Sequence, residues 1–224
     1  MFSPYKFLFK QQTLWLSTDR CIYWEEQNAL ILSDLHFGKT GHFRKSGIGV
    51  PQHIFKQDLY KLFSVIQFFK PSQLLIVGDL FHSHANKEMD FFLKWRNDIP
   101  EMKIELIKGN HDILSKKFYE RAAITTTDDL LLVNNFCFTH DIKLRCNDEK
   151  NKEKKYTFSG HIHPGIRLNG IGKQSIYLPC FYFGKDHAVL PAFSQFTGLS
   201  RMENSGNDSI FAITGNEIIK ITGS

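Results

Sequence analysis

Short apolar runs recur along the chain, and each is cut off abruptly by polar residues. "TLWLS", "RCIYW" and "ALILS" read as three successive strands near the start; "QLLIVG", "KIELIK", "NFCFTH", "KYTFSG", "SIYLPCFYF", "VLPAF", "SIFAI" and "EIIKI" continue the series. Helical spacing takes over between them. Phe55, Leu59, Leu62, Phe63, Ile66 and Phe69 recur at intervals of three and four, which predicts an apolar stripe on a helix ending before Pro71. "NKEMDFFLKWRNDI" predicts a second helix and "ILSKKFYERAA" a short third, while the tail from about residue 175 reads as strand and turn. The alternation predicts an α/β fold in a single domain over residues 1–224.

Polarity enters at particular places, the ends of strands. "ILSDLHFG" carries Asp34 and His36, "LLIVGDLFHS" carries Asp79, and "IELIKGNHD" carries Asn110, His111 and Asp112. "NFCFTHD" adds His140, and "YTFSGHIHP" adds His161 and His163. Where strands run parallel, their carboxyl ends share one edge of the sheet, and the loops there build ligand sites. Asp34 and His36 are two apart, so an extended strand would point them the same way. Alone, a strand-end Asp reads equally well as a turn or cap, and a lone His as a core residue. Together, so many buried polar groups would cost about 1–3 kcal/mol each unless metal ions or one another satisfied them. The donors are nitrogen and oxygen without sulfur, a set suited to Mn²⁺, Fe or Zn²⁺.

The ordered series D-x-H, G-D, G-N-H-D, a later His and G-H-x-H, running from residue 30 to 163, resembles the calcineurin-like metallophosphoesterases. "SDLHFGKTGHFRKSGIGVP", "GDLFHS" and "LPAFSQFTG" resemble more closely the ligase-associated DNA-damage-response phosphoesterases and endonucleases. The resemblance implies a four-layer α-β-β-α sandwich, two facing mixed sheets flanked by helices. It implies two divalent ions, Mn²⁺ first and Fe or Zn²⁺ as alternatives: one held by Asp34, His36 and His163, the other by Asn110, His140 and His161, with Asp79 shared. His111 is then left to act on the phosphate or the leaving oxygen, and Asp112 is suited to hold the His111 ring. The implied reaction is attack on a phosphodiester by water activated between the ions, with no covalent intermediate. The implied setting is DNA repair, with a DNA ligase, helicase or exonuclease as partners.

Composition adds less. A net charge of +5 suits a phosphate-bearing partner without identifying one. Lys39, His42 and Arg44, in the glycine-rich loop after the first motif, are candidate substrate contacts. The segment "KLRCNDEKNKEKK", residues 143–155, reads as a solvated loop or as a nucleic-acid track through Lys150, Lys152, Lys154 and Lys155, blunted by Asp148, Glu149 and Glu153. The four widely spaced cysteines, with no CxxC pair, read as small hydrophobes or free thiols ahead of a disulfide or a zinc knuckle. The start lacks the apolar block of a signal peptide and no run is long enough for a membrane span, so a cytoplasmic protein is expected. The residues leave open a phosphodiesterase or phosphomonoesterase acting on nucleotides or other small phosphoesters, and a scaffold that kept the fold without the chemistry.

Overall fold

The computed structural model describes residues 3–39, 53–82, 87–144, 155–170, 172, 174–203 and 205–221. In the first sheet, β1 (Tyr5–Phe9), β2 (Gln12–Leu16), β3 (Ile22–Trp24), β4 (Ala29–Leu32), β5 (Gln73–Val77), β6 (Lys103–Ile107) and β7 (Ile124–Thr127) lie side by side in chain order. The pairs from β1 to β4 are antiparallel, and those from β4 to β7 are parallel. The crossovers carry α1 (His53–Phe69), α2 (Lys87–Asn97) and α3 (Lys116–Arg121). The second sheet holds β8 (Leu130–Val133), β9 (Phe136–Thr139), β10 (Tyr156–Ser159), β11 (Pro164–Asn169), β12 (Ser175–Phe183), β13 (His187–Val189) and β14 (Ser200–Arg201). Its order is β14-β11-β12-β13-β10-β9-β8, with β15 (Ser209–Ile213) against β12 and β16 (Ile218–Ile221) against β15.

The central strands β4 and β5 read as nearly unbroken apolar runs because both faces are covered. Leu30, Leu32, Leu74, Ile76, Ile104 and Leu106 pack against Leu62, Val65 and Ile66 of α1 and Met89 and Phe92 of α2. The alternate residues Ala29, Ile31, Leu75, Val77 and Ile107 face Phe136, Phe138, Phe158, Phe181 and Phe211 of the second sheet. The two facing mixed sheets are those the sequence implies. Among the described residues all three α-helices lie on the first sheet.

Among the described side chains, the α1 stripe differs from expectation in one position. Val65 is buried and Phe63 is 40% exposed, because the inward face at 3.6 residues per turn runs through 58, 62, 65, 66 and 69. The strand expected at "VLPAF" closes at Val189; beyond it a loop crosses to the first sheet, where Phe193 N donates to Ser33 O at 2.8 Å. Cys21 and Cys180 are buried free thiols as expected, whereas Cys137 is disulfide-bonded. Arg96, buried in α2, ties that helix to the next segment by donating to the carbonyls of Ile99, Met102 (2.9 Å) and Ala122 (3.0 Å).

Candidate metal centre

The loops that follow β4 and β5 are joined by backbone bonds. Asp34 N donates to Gly78 O at 3.0 Å and His36 N to Asp79 O at 2.9 Å. Asp34, His36, Asp79, His161 and His163 all take left-handed backbone angles, with φ between 51° and 67°. Each costs an L-residue roughly 1–2 kcal/mol, so the chain is bent against its preference at five of the nine strand-end residues. The result is convergence: side chains from the ends of β4, β5, β6, β9 and β10 meet where the two sheets face each other.

Asp34, His36 and His163 offer ligand atoms all within 4.8 Å of one another, as do Asp34, Asp79 and His140. His163 Nε2 stands 3.2 Å from Asp34 Oδ1, and His36 Nε2 3.9 Å from the same oxygen. His140 Nε2 lies 3.4 Å from Asp79 Oδ2, 3.2 Å from Asn110 Oδ1 and 3.2 Å from His161 Nδ1. Asp79 sits between the groups, with Oδ2 also 4.0 Å from His36 Nδ1 and Oδ1 accepting from His111 N at 2.9 Å. All seven residues expected to bind metal are therefore in one place. Asp34 Oδ1 and both ring nitrogens of His36 are buried with no hydrogen-bond partner. A buried polar atom left so is expensive, and a cation between these donors would satisfy Asp34 Oδ1 and one ring nitrogen of His36.

The calcineurin-like phosphoesterase family model matches residues 28–214, the whole run that supplies these donors. The chain belongs to the calcineurin-like phosphoesterase family. It is thus a metal-dependent hydrolase, and the family's use of divalent metals fits the donor set found here. Among solved structures, the nuclease MPE of Pseudomonas putida is 24% identical, with a TM-score of 0.81 over 99% of this chain and 100% of that one, so the fold is shared along its length. A protein of unknown function from Aquifex aeolicus is 15% identical over 65% of this chain and 82% of that one, with a TM-score of 0.41. No curated protein gives a significant sequence match. No described helix is long and apolar enough to cross a membrane.

The electrostatics of this phosphoesterase's site follow from burial and close pairing. Burial holds the His36 imidazole down to about 3, against the pull of Asp34 and Asp79. Burial would raise the Asp79 carboxyl, but the His140 hydrogen bond and charge bring it to about 2. The same contact lifts His140 to about 9 against its own burial. His111, which contacts fewer of the donors, is the more open of the imidazoles around Asp79, its Nε2 4.0 Å from Asp79 Oδ2 with the side chain 39% exposed.

Asp112 does not hold the His111 ring as expected. Its buried carboxylate accepts from Phe81 N at 3.0 Å and Gly109 N at 2.9 Å, bracing the two backbone turns that carry Asp79 and Asn110. The residue against His111 is His82, whose ring stacks on it with centroids 4.4 Å apart and an interplanar angle of 28°. His82 also meets the His36 ring edge-on at 5.3 Å. Sequence reasoning passed over it; its signal was the His three residues beyond Asp79 in "GDLFHS". Lys39 is half-buried beside the centre, its ammonium lowered by burial and raised by Asp34 and Asp79. His42, Arg44 and residues 145–154 lie outside the described residues.

Proposed function

We propose that this phosphoesterase binds two divalent ions, manganese foremost, and cleaves phosphodiester bonds in nucleic acid during DNA repair. The observation that carries the metal reading is the set of buried, hydrogen-bond-orphaned atoms of Asp34 and His36 within a ring of further donors. Asp34, His36 and His163 would hold one ion, and Asn110, His140 and His161 the other, with Asp79 shared. Nitrogen and oxygen donors without thiolate suit Mn²⁺, Fe or Zn²⁺, and manganese is put first on the family resemblance. Ions held there supply Lewis acidity at the phosphate oxygens and a water acidic enough to attack phosphorus.

The chain's own groups supply the rest. Asp79 places one carboxylate oxygen toward both donor groups while the other is pinned by His111 N, which fixes its orientation. His111, open to solvent on one side and supported by the His82 ring on another, is placed to donate a proton to the departing oxygen or a hydrogen bond to the phosphate. Lys39 adds positive charge at the rim. Nucleic acid as substrate is supported by the net charge of +5 and by the likeness to a protein described as a nuclease. The repair setting, with a DNA ligase, helicase or exonuclease as partner, rests on the resemblance of "GDLFHS" and "LPAFSQFTG" to the ligase-associated group.

The test is a metal-reconstituted assay across bis-aryl phosphate, aryl monophosphate, cyclic nucleotides and defined DNA strands. Hydrolysis of the diester and of DNA is expected; activity confined to the monoester would overturn the reading.

A further inference from the structure

β11 starts at the residue after His163, and its neighbours form a surface the metal centre does not use. Ser200 N donates to His163 O at 2.9 Å, and Gly165 pairs with Arg201 of β14 on one side and with Pro179 of β12 on the other. One step along the same face, Arg167 pairs with Tyr177. Directly paired residues in adjacent strands project to the same side, so Gly165, Arg167, Tyr177, Pro179 and Arg201 share one face. Tyr177 alternates in step with Phe181 and Phe183, which are buried in the core between the sheets. Burial along β12 fades toward Tyr177, which is 39% exposed. The inner face of the second sheet therefore continues outward as an exposed strip that begins beside His163.

Gly165 seats the aromatic ring. A Cβ there would stand 2.9 Å from Tyr177 Cζ, a distance no side chain tolerates. Arg167 and Arg201 are exposed, and neither has a hydrogen-bond or ion-pair partner among the described residues. No Asp or Glu occurs in β11, in β14 or in Ser175–Pro179, so nothing within these strands offsets the two guanidinium groups. A ring sharing its face with two unpaired guanidiniums fits an unpaired base flanked by phosphates; a duplex, whose base faces are stacked, offers the ring nothing.

We propose that Arg167, Tyr177 and Arg201 form a subsite for the single-stranded flank of a polynucleotide whose scissile phosphodiester lies at the metal centre. The proposal rests on the nucleic-acid reading of the centre. The flank runs outward from His163 along β11, the arginines holding phosphates and Tyr177 stacking on a base.

The test uses the manganese-loaded full chain, with a 20-nucleotide single strand, the matching duplex and bis(4-nitrophenyl) phosphate. For Tyr177→Leu, which fills the space over Gly165 without stacking, the ratio of kcat/KM on the single strand to that on the small diester should fall about 10- to 100-fold. Tyr177→Phe should restore it. Arg167→Gln with Arg201→Gln should flatten the log–log salt dependence of single-strand binding, measured by fluorescence anisotropy, by about 1.4, or 0.7 per lost contact. Wild-type cleavage of the single strand with both variants keeping the wild-type ratio and salt slope overturns the strip and leaves the nuclease reading intact. A wild type that hydrolyses the small diester but neither binds nor cleaves polynucleotide overturns both.

Discussion

Replacing Gly78 with alanine tests the centre from behind. Gly78 has φ +80°, and a Cβ there would stand 2.0 Å from His140 Nδ1 and 2.3 Å from its Cγ. Ordinary contact needs about 3.5 Å, so the ring must retreat about 1.5 Å. That movement breaks the 3.1 Å hydrogen bond from the ring to Val77 O and the 3.4 Å approach to Asp79. The left-handed alanine costs about 1–2 kcal/mol and the lost hydrogen bond about 0.5–1.5 kcal/mol, Val77 O keeping the Ser33 hydroxyl as a donor at 3.0 Å, together about 1.5–3.5 kcal/mol. A shift of this size far exceeds the ~0.2 Å within which metal–ligand distances are held, so metal should be lost as well. Gly206 is the matched control: its φ is +81° and nothing lies within 4 Å of where a Cβ would be. Gly206→Ala should cost only the first term and keep its metal. Urea denaturation gives the stability difference, and elemental analysis of protein prepared with manganese gives the occupancy. Equal destabilisation of the two variants, or full metal in Gly78→Ala, would refute the placement of His140.

Asp79→Asn should lower occupancy from two ions per chain to one or none, measured by elemental analysis; two retained ions would exclude the shared-ligand role. His111→Asn should keep the metal and slow turnover by on the order of 10²–10⁴-fold, with a smaller effect on nitrophenyl esters, whose leaving groups need little protonation; an equal loss on both kinds of substrate would point to phosphate binding instead. Lys61, buried, donates to Phe193 O and lies 3.8 Å from Asp58; burial brings its ammonium from 10.5 to about 8, against the pull of Asp58. Below pH 8 the folded and unfolded chains are both protonated and the full cost, about 3 kcal/mol, is felt; between pH 8 and 10.5 the unfolded chain holds more protons, so the cost fades. Wild type should therefore gain stability relative to Lys61→Met across that window in urea titrations, and parallel profiles would contradict this. Arg96→Met strands the carbonyls of Met102 and Ala122 and should lower Tm by about 4–8 °C while leaving kcat per folded molecule unchanged.

What could be read from the sequence was what one-dimensional order encodes. The runs at Leu30–Leu32 and Leu74–Val77 announced themselves because strands covered on both faces are apolar throughout, Ile104–Ile107 departs from this only at Glu105, and the residues just after them were the site. Strands with one face largely open to solvent carry no such signal. β1 alternates between half-buried and exposed residues, and β11 runs from Pro164 and Gly165 into Arg167 and Asn169, so both were passed over. The error at Asp112 has the same origin, since spacing puts it beside His111 but the turn aims its carboxylate back at Gly109 and Phe81. His82 was missed because its contact with His111 joins loops from two different strands, a relation that exists only after β5 and β6 are paired.

The five left-handed residues have an evolutionary consequence. At Asp34, His36, Asp79, His161 and His163, glycine is the residue the backbone would favour, and each side chain is kept there against a conformational cost. Relaxing any one would make the folded chain more stable while removing a donor, so stability and chemistry oppose each other at these sites. A lineage released from selection for catalysis should drift to glycine or asparagine at these five positions before its core changes. Their persistence separates working enzymes from scaffolds that keep only the shape.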